Sequence, residues 1–454
     1  MGMQTKTYSI PAPILNLVET LRRLLGDPGF LGRHRVRPED FTRQRQLSFP
    51  VVMLFVLQKT VKSIQSHLQE FLGELAAGAV FETVTSGAWT HARAKLRHTA
   101  FIELNDTAML PMVYGAPRQD QVRRWHGRRL VGVDGSLLRL PNSQELREAF
   151  GVVQVSNQKG QTSTAYPEGR FVVLYDLLNR IGLSARLEPS RVGEVDLAIE
   201  QLRQAQPGDV TINDRGFTGY VYLAWHHFLG VDHISRCSTG SFPAAQDLFR
   251  KNQGNRSVVV RLFAPKQERA ALRRLGLPLE LKVRFLSVRL PTGQLEVLVT
   301  SLLQEEQFPT QEFLTVYHWR WNHETFHLMM KGRLDLENFS GETLEAVRQD
   351  FFATLLLCNL ESVLTEPASE SLQAQSADHQ HTKQINRAGA YHAIKHELLA
   401  LLYSQTPVEE VIAKLQCLFL AEPVSVRPER KPPPRAESTA RSYHFQRHVK
   451  KVVF

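Results

Sequence analysis

The chain has 454 residues, room for about three domains, and its 43% apolar and 22% charged residues support a sizeable core rather than a disordered chain. With 55 Lys and Arg against 45 Asp and Glu, the net charge is +10 and the pI near 9.5, which favours polyanions over acidic small substrates. Three scattered cysteines (Cys237, Cys358, Cys417) exclude a zinc ribbon and a disulfide framework, the longest apolar run (Phe49 to Leu57) is too short for a bilayer, and no signal pattern opens the chain, so a soluble intracellular protein is expected.

Ile14, Val18, Leu21 and Leu25 recur at helical spacing, as do Ile64, Leu68 and Leu72, so the first hundred residues read as short helices. Arg33, Arg35, Arg37, Arg43 and Arg45 cluster between them, and Thr90 to Arg97 places Arg93 and Lys95 on another short helix. Two readings stand here: a solvated charged face, or a helical DNA-docking module whose cations neutralise phosphates. From about residue 128 strands take over: Leu130 to Val133, a tight Asp134-Gly135 turn, a returning strand Leu137 to Leu140, a polar loop from Asn157 to Gly169, and a third strand Phe171 to Tyr175. A helix from Glu194 to Gln204 ends at Pro207-Gly208. Val210 to Ile212 is a strand closing on Asp214-Arg215-Gly216, and a helix around Tyr220 to Phe228 and a strand around His233 to Cys237 follow. This order predicts a mixed α/β sheet.

Residues 240–308 read as an all-β insertion, with strands at Ser257 to Val260, Leu281 to Leu290 and Leu295 to Leu302. Thr310 is the expected N-cap of a helix running to Lys331. Helices at Val347 to Leu364, Tyr391 to Tyr403 and Val408 to Leu420 follow, broken by a polar link from Pro367 to Lys383. The last stretch, Arg427 to Lys451, holds eight Lys/Arg, two acids and three consecutive prolines, and is expected to be extended.

Asp134 and Asp214 stand at strand ends beside glycines that admit a close approach of backbone or ligand. Taken singly, each is more simply a turn residue, since Asp-Gly is a common hairpin signal. A third carboxylate lies in the segment from Tyr317 to Lys331. There Tyr317, Arg320, Glu324 and Lys331 follow one another at intervals of three, four and seven, which at about 100° per residue is one helix stripe. On a solvated face this would be only an Arg320–Glu324 pair worth roughly 0.2–0.5 kcal/mol. Trp319, Trp321, Phe326, Leu328, Met329 and Met330 crowd the same segment, however, leaving little of it to face water. A buried Arg–Glu–Lys stripe is costly unless something ionic docks on it. Trp321 reads as core and His323 as a packing residue.

The spacing Tyr-x2-Arg-x3-Glu-x6-Lys resembles the signature of the insertion-sequence-family-four transposases, members of the DDE superfamily. Asp134-Gly135-Ser136 with Leu140-Pro141-Asn142-Ser143 resembles the family's first-Asp region. Glu194 opening a helix and Asp214-Arg215-Gly216-Phe217 resemble its second, and His233-Ile234-Ser235-Arg236 the strand after it. The resemblance implies an α/β fold: an RNase H-like mixed sheet core with an all-β insertion, flanked by N-terminal and C-terminal helical regions. The expected divisions are a helical DNA-binding region (1–125), a catalytic domain (126–345, with the insertion at 240–308) and a helical C-terminal region with a basic tail (346–454). Asp134, Asp214 and Glu324 would be the catalytic, metal-binding triad for two Mg²⁺ or Mn²⁺ ions, which hard oxygen ligands suit. Tyr317, Arg320 and Lys331 would contact DNA near the cut, with Arg215, Arg236, Arg93 and Lys95 as further DNA-binding candidates.

What the resemblance implies in function is an endonuclease and strand-transfer enzyme of DNA transposition. It would nick the terminal inverted repeats, release the element (through hairpin ends in some members) and join it to target DNA, as a homodimer in the bacterial cytoplasm near the nucleoid. In some members a tryptophan on the insertion stacks on a flipped base. None occurs here between Trp225 and Trp319, so Phe242, Phe263 or Phe285 takes that part, or hairpins are not used. Two rivals stay open: an Mg²⁺-dependent nuclease that cuts without joining, and a non-catalytic DNA-binding protein derived from a transposase. Other chemistry is not indicated. Ala393 breaks a zincin pattern between His392 and His396, Asp378 to His381 lacks cysteine partners, Ser136 has no nucleophile elbow, and no nucleotide-binding loop occurs.

Overall fold

The computed structural model describes residues 10–59, 63–76, 82–156, 162–375 and 381–426, so the basic segment from Arg427 to Lys451 lies outside the described residues. The chain forms two compact units, one from residues 1–119, 139–148 and 330–454 and the other from 120–138 and 149–329.

The first unit is built on helices. Phe49–Leu57, apolar on every side, is buried throughout, and the longest helix, Leu344–Leu364, is buried along most of its length. Thr343 caps that long helix by accepting the Ala346 N–H, and Asp27 caps Pro28–His34 through the Phe30 N–H. The two basic stretches noted in the sequence are stitched together by backbone pairing: Val36 N–H donates to the Lys95 carbonyl at 2.9 Å and Arg97 N–H to that of His34 at 2.8 Å. Among the described residues, no helix is long and apolar enough to cross a membrane.

The second unit holds an eight-stranded mixed sheet. Its strands are β1 (Leu130–Arg139), β2 (Glu168–Asp176), β3 (Ile181–Pro189), β4 (Val210–Asn213), β5 (Asp232–Arg236), β6 (Arg256–Phe263), β7 (Glu280–Arg289) and β8 (Leu295–Thr300). The spatial order is β3-β2-β1-β4-β5-β8-β7-β6. β2 and β3 form an antiparallel hairpin, β1, β4 and β5 run parallel, and β8, β7 and β6 continue antiparallel. Helices Glu194–Leu202 and Tyr220–Leu229 make the crossovers that parallel neighbours require. This is the expected α/β sheet with an RNase H-like strand order. The β-rich residues 240–308 extend the same sheet and add helices Pro243–Lys251 and Arg269–Arg274, packed around Leu248, Leu262, Leu272 and Phe285.

The insertion is therefore not all-β as expected, and a second local expectation fails. Asp134-Gly135 is no hairpin turn, because β1 runs unbroken through it to Arg139. The glycine instead meets a neighbouring side chain, as described below. Gly132 is level with Ile212 across the parallel β1–β4 pair, so two residues further on Asp134, still within β1, comes alongside Asp214, which lies just past the end of β4.

Candidate active site

Asp134 Oδ1 accepts the Gly135 N–H at 3.0 Å, and Glu194 Oε1 lies 3.0 Å from the same nitrogen. Burial, then the charges of Glu194 and Asp214, push the Asp134 carboxyl up to about 7, against the opposing pull of the Gly135 N–H and Arg320. Glu194 is steadied by Arg170, whose Nη1 donates to Oε2 at 3.1 Å. Asp214 follows the end of β4, and its Oδ1 is buried without a hydrogen-bond partner. The strand end beneath it is fixed by Asn213, whose amide donates to Thr211 Oγ1 (2.8 Å) and Ser235 Oγ (3.1 Å) and accepts from the Tyr222 hydroxyl (3.1 Å).

The signature segment is not one helix from Thr310 to Lys331. It is Glu312–His318, a tight turn, Trp321–Leu328 and a wide π-turn, Met329–Arg333. In the tight turn Trp319 and Arg320 N–H reach the carbonyls of Val316 and Tyr317, three residues back. Thr310 does not cap the helix, since its hydroxyl and N–H are engaged with Glu305. The changed phase exposes two residues expected in the core: Trp321 is 53% and Leu328 70% exposed. The buried stripe instead carries Tyr317, Arg320, His323, Phe326 and His327.

Arg320 is the hub of this stripe. Its Nη1 donates to Glu324 Oε1 at 2.7 Å, and its Cζ lies 5.7 Å from the Tyr317 ring centre and 5.2 Å from that of Trp321. Burial opposes its charge, but Tyr317, Glu324 and Asp214 outweigh that and hold the guanidinium above its ordinary value. Burial also pushes the Tyr317 phenol up, and its hydroxyl has no hydrogen-bond partner. Glu324, one turn on from Arg320, keeps its side chain 36% exposed. His323 stacks on Tyr175 (ring centres 5.4 Å apart), and burial holds its imidazole well below the usual range. It fits only because residue 132 is glycine: a Cβ there would stand 2.6 Å from His323 Nδ1.

The remaining candidates divide. Arg215 is exposed beside Asp214, and Arg236 pairs with Glu296 at 3.0 Å in the surroundings of Tyr317. Lys331, counted in the first unit, lies 3.6 Å from Glu337, and Lys95 is half-buried. Arg93 is buried and spends its guanidinium on Asp350 (2.7 Å), Gln349, Ser340 and the Ala346 carbonyl, so it has an internal task in place of the expected phosphate. Among the three phenylalanines, Phe285 is buried, Phe242 packs edge-on against it at 5.6 Å, and Phe263 is 62% exposed. Sequence reasoning assigned no role to Glu194 and passed over His327, whose Nδ1 lies 4.0 Å from Asp134 Oδ2. The i+3 spacing from Glu324 to His327 was the available signal.

An all-oxygen donor set, an orphaned Asp214 Oδ1 and an Asp134 that resists ionising among like charges fit a hard divalent cation. Among the described residues, no three His, Cys, Asp or Glu side chains are grouped closely enough to hold an ion as they stand.

An RNase H-like sheet with one aspartate in the central strand and a second just past the end of the adjacent parallel strand, beside an Arg–Glu helix, defines a DDE-type domain. Residues 125–360, more than half of the chain, match the family described as Transposase DDE domain, and the chain belongs to that family, among the transposases of the IS4 type. It is 26% identical over 242 residues to the transposase InsG for insertion sequence element IS4 of Escherichia coli (strain K12), covering 52% of each chain. It is also 36% identical over 93 residues to InsZ of the same organism, named as a transposase, covering 20% of this chain and 30% of that one. The chain thus spans about half or less of the length of these curated relatives. A cryo-EM structure of the piggyBac transposase synaptic complex with hairpin DNA is similar at a TM-score of 0.45 and 10% identity, over 93% of this chain and 88% of that one.

Proposed function

We propose that this chain is a transposase that cuts DNA at the ends of an insertion sequence and joins those ends to target DNA, with Asp134, Asp214 and Glu324 as its catalytic carboxylates. The reading is supported above all by the level register of β1 and β4, which sets Asp134 beside Asp214 within the matched family segment. Those three side chains would hold two Mg²⁺ or Mn²⁺ ions. When bound, such ions activate the attacking oxygen and stabilise the leaving oxygen of an in-line displacement at phosphorus.

The protein's own groups do the positioning. Asp214 Oδ1 has acceptor capacity to spare. Arg320, packed against two aromatic rings, offers a planar fork that suits a phosphate as well as it suits Glu324. The Tyr317 hydroxyl supplies a neutral donor and Lys331 a point charge. Residues 1–125 serve as the DNA-docking region, 126–345 as the catalytic domain and 346–454 as a second helical region. The partners are the duplex terminal repeats and target DNA. Two copies of the chain hold the two ends, in the bacterial cytoplasm near the nucleoid.

The deciding experiment supplies a pre-cut element end, target DNA and Mg²⁺ and looks for joined product. Joining is expected; cutting without any joining would favour the nuclease reading. Asp214→Asn should bind ends yet neither cut nor join them, and unchanged nicking by that variant rejects the site.

A further inference from the structure

Glu194 stands outside the three-carboxylate set, yet it is the acid built most tightly against Asp134. Its Oε1 and Asp134 Oδ1 each lie 3.0 Å from the Gly135 nitrogen, and Arg170 on the neighbouring strand β2 holds its other oxygen. The backbone is shaped for this contact, since a Cβ at Gly135 would stand 2.6 Å from Glu194 Oε1 and 3.2 Å from the Phe171 carbonyl oxygen.

A plainer role would be to complement the dipole of the helix that Glu194 opens. Asp196 already supplies a carboxylate in that first turn, with its Oδ2 folded back to within 2.7 Å of where a Gly193 Cβ would be. Glu194 instead turns toward the sheet and presses one negative charge on another. Like charges so placed are unfavourable unless a cation is to be held between or beside them. The orphaned Asp214 Oδ1 at the end of the adjacent strand is a separate sign of such a cation.

Resting on the carboxylate site proposed above, we infer that Glu194 is a positioning residue for Asp134. Braced by Arg170, it fixes the Gly135 N–H and with it the Asp134 carboxylate, and it adds negative charge at the edge of the cation site. Groups that hydrogen-bond around metal ligands commonly matter by about 10- to 100-fold in metal affinity.

The test is Mn²⁺ binding by the full chain without DNA, read from the free-ion EPR signal. Glu194→Gln keeps the size and an acceptor for Gly135 but removes the charge. It should bind Mn²⁺ about 10- to 100-fold more weakly, with thermal midpoint and metal-free binding to element ends as in wild type. A merely structural residue would lower the midpoint and leave Mn²⁺ affinity alone. Wild-type Mn²⁺ affinity in folded Glu194→Gln overturns the inference. If that variant does not fold, Gly135→Ala, which expels Glu194, takes its place, and an unchanged Mn²⁺ affinity there is equally fatal. Asp134→Asn and Asp214→Asn separate the two claims. If both weaken Mn²⁺ binding and Glu194→Gln does not, only the role of Glu194 falls. If neither weakens it, the carboxylate site falls and Glu194 with it.

Discussion

Arg320 and Glu324 are joined at 2.7 Å across one helical turn, and the arginine lies against the rings of both Tyr317 and Trp321. The pair is therefore more than a surface i,i+4 bridge: its cation is buried and prearranged, and its anion is partly open to solvent. The planar fork bonds Glu324 through Nη1, while Nε is buried without a partner.

Lysine cannot reproduce that geometry, because it offers a compact charge with no fork and no stacking plane. Arg320→Lys should retain most of its affinity for element ends and lose about 100-fold in the nicking rate at saturating DNA, the scale of removing one transition-state donor. Single-turnover nicking beside a gel-shift titration checks this. Wild-type nicking by the lysine variant would remove Arg320 from the chemistry.

The Asp134 carboxyl gives a pH signature. Its folded value of about 7 lies above the ordinary 3.8, so the folded state holds its proton more tightly than the unfolded chain does. Without a cation, this residue's contribution to stability is therefore greatest below about pH 4, falls as pH rises toward 7, and is flat beyond. At roughly 1.4 kcal/mol per pH unit the loss is on the order of a few kcal/mol. Asp134→Asn does not titrate, so in EDTA it should melt progressively above wild type between pH 4 and 7. Added Mg²⁺ should raise the wild-type midpoint and leave that of the variant in place. Parallel melting curves across this window would contradict the buried, charge-crowded setting of Asp134.

Much of the candidate site was legible because it is written in spacing. The two aspartates and the Tyr–Arg–Glu–Lys intervals survive without knowledge of the packing, and the parallel register of β1 and β4 then brings Asp134, within its strand, alongside Asp214. What was misread depends on neighbours far away in the chain. Asp134-Gly135 carries a hairpin signal, but Glu194 closes on the glycine and the strand runs on. A single period of 3.6 cannot foresee a tight turn at Trp319–Arg320 followed by a π-turn at Met329, which is why Trp321 came out of the core. Arg93 sits among surface-type cations in sequence, and only the buried Asp350 explains it.

His323 and Gly132 form a lock between the signature helix and β1. The ring is fully enclosed, and a methyl at 132 would approach it to 2.6 Å and Leu177 Cδ2 to 3.1 Å. Gly132→Ala should cost about 1–3 kcal/mol in urea unfolding, the range of overpacked cores. It should also slow nicking by displacing the helix that carries Glu324. Combining it with His323→Ala should recover part of both losses, because the second change reopens the space. Strict additivity of the two stability losses would show that the contact is not what couples them.

Arg93 and Lys95 are two residues apart in a basic stretch but have opposite tasks. Arg93 pairs with fully buried Asp350, so Arg93→Ala leaves a buried carboxylate uncompensated and should cost about 3–5 kcal/mol of stability. Asp350→Asn in the same chain should recover part of that. Lys95 is half-buried, and its backbone carbonyl accepts the N–H of Val36 beside exposed Arg37, where the two basic stretches meet. Lys95→Ala and Arg37→Ala should leave the melting point unchanged, weaken binding to any duplex, and each flatten the plot of log affinity against log salt by about one unit. Fluorescence anisotropy over a salt series measures that slope. Unchanged slopes for both would move the phosphate contacts elsewhere, whereas a changed slope for a folded Arg93→Ala chain would reverse the internal role assigned to that arginine.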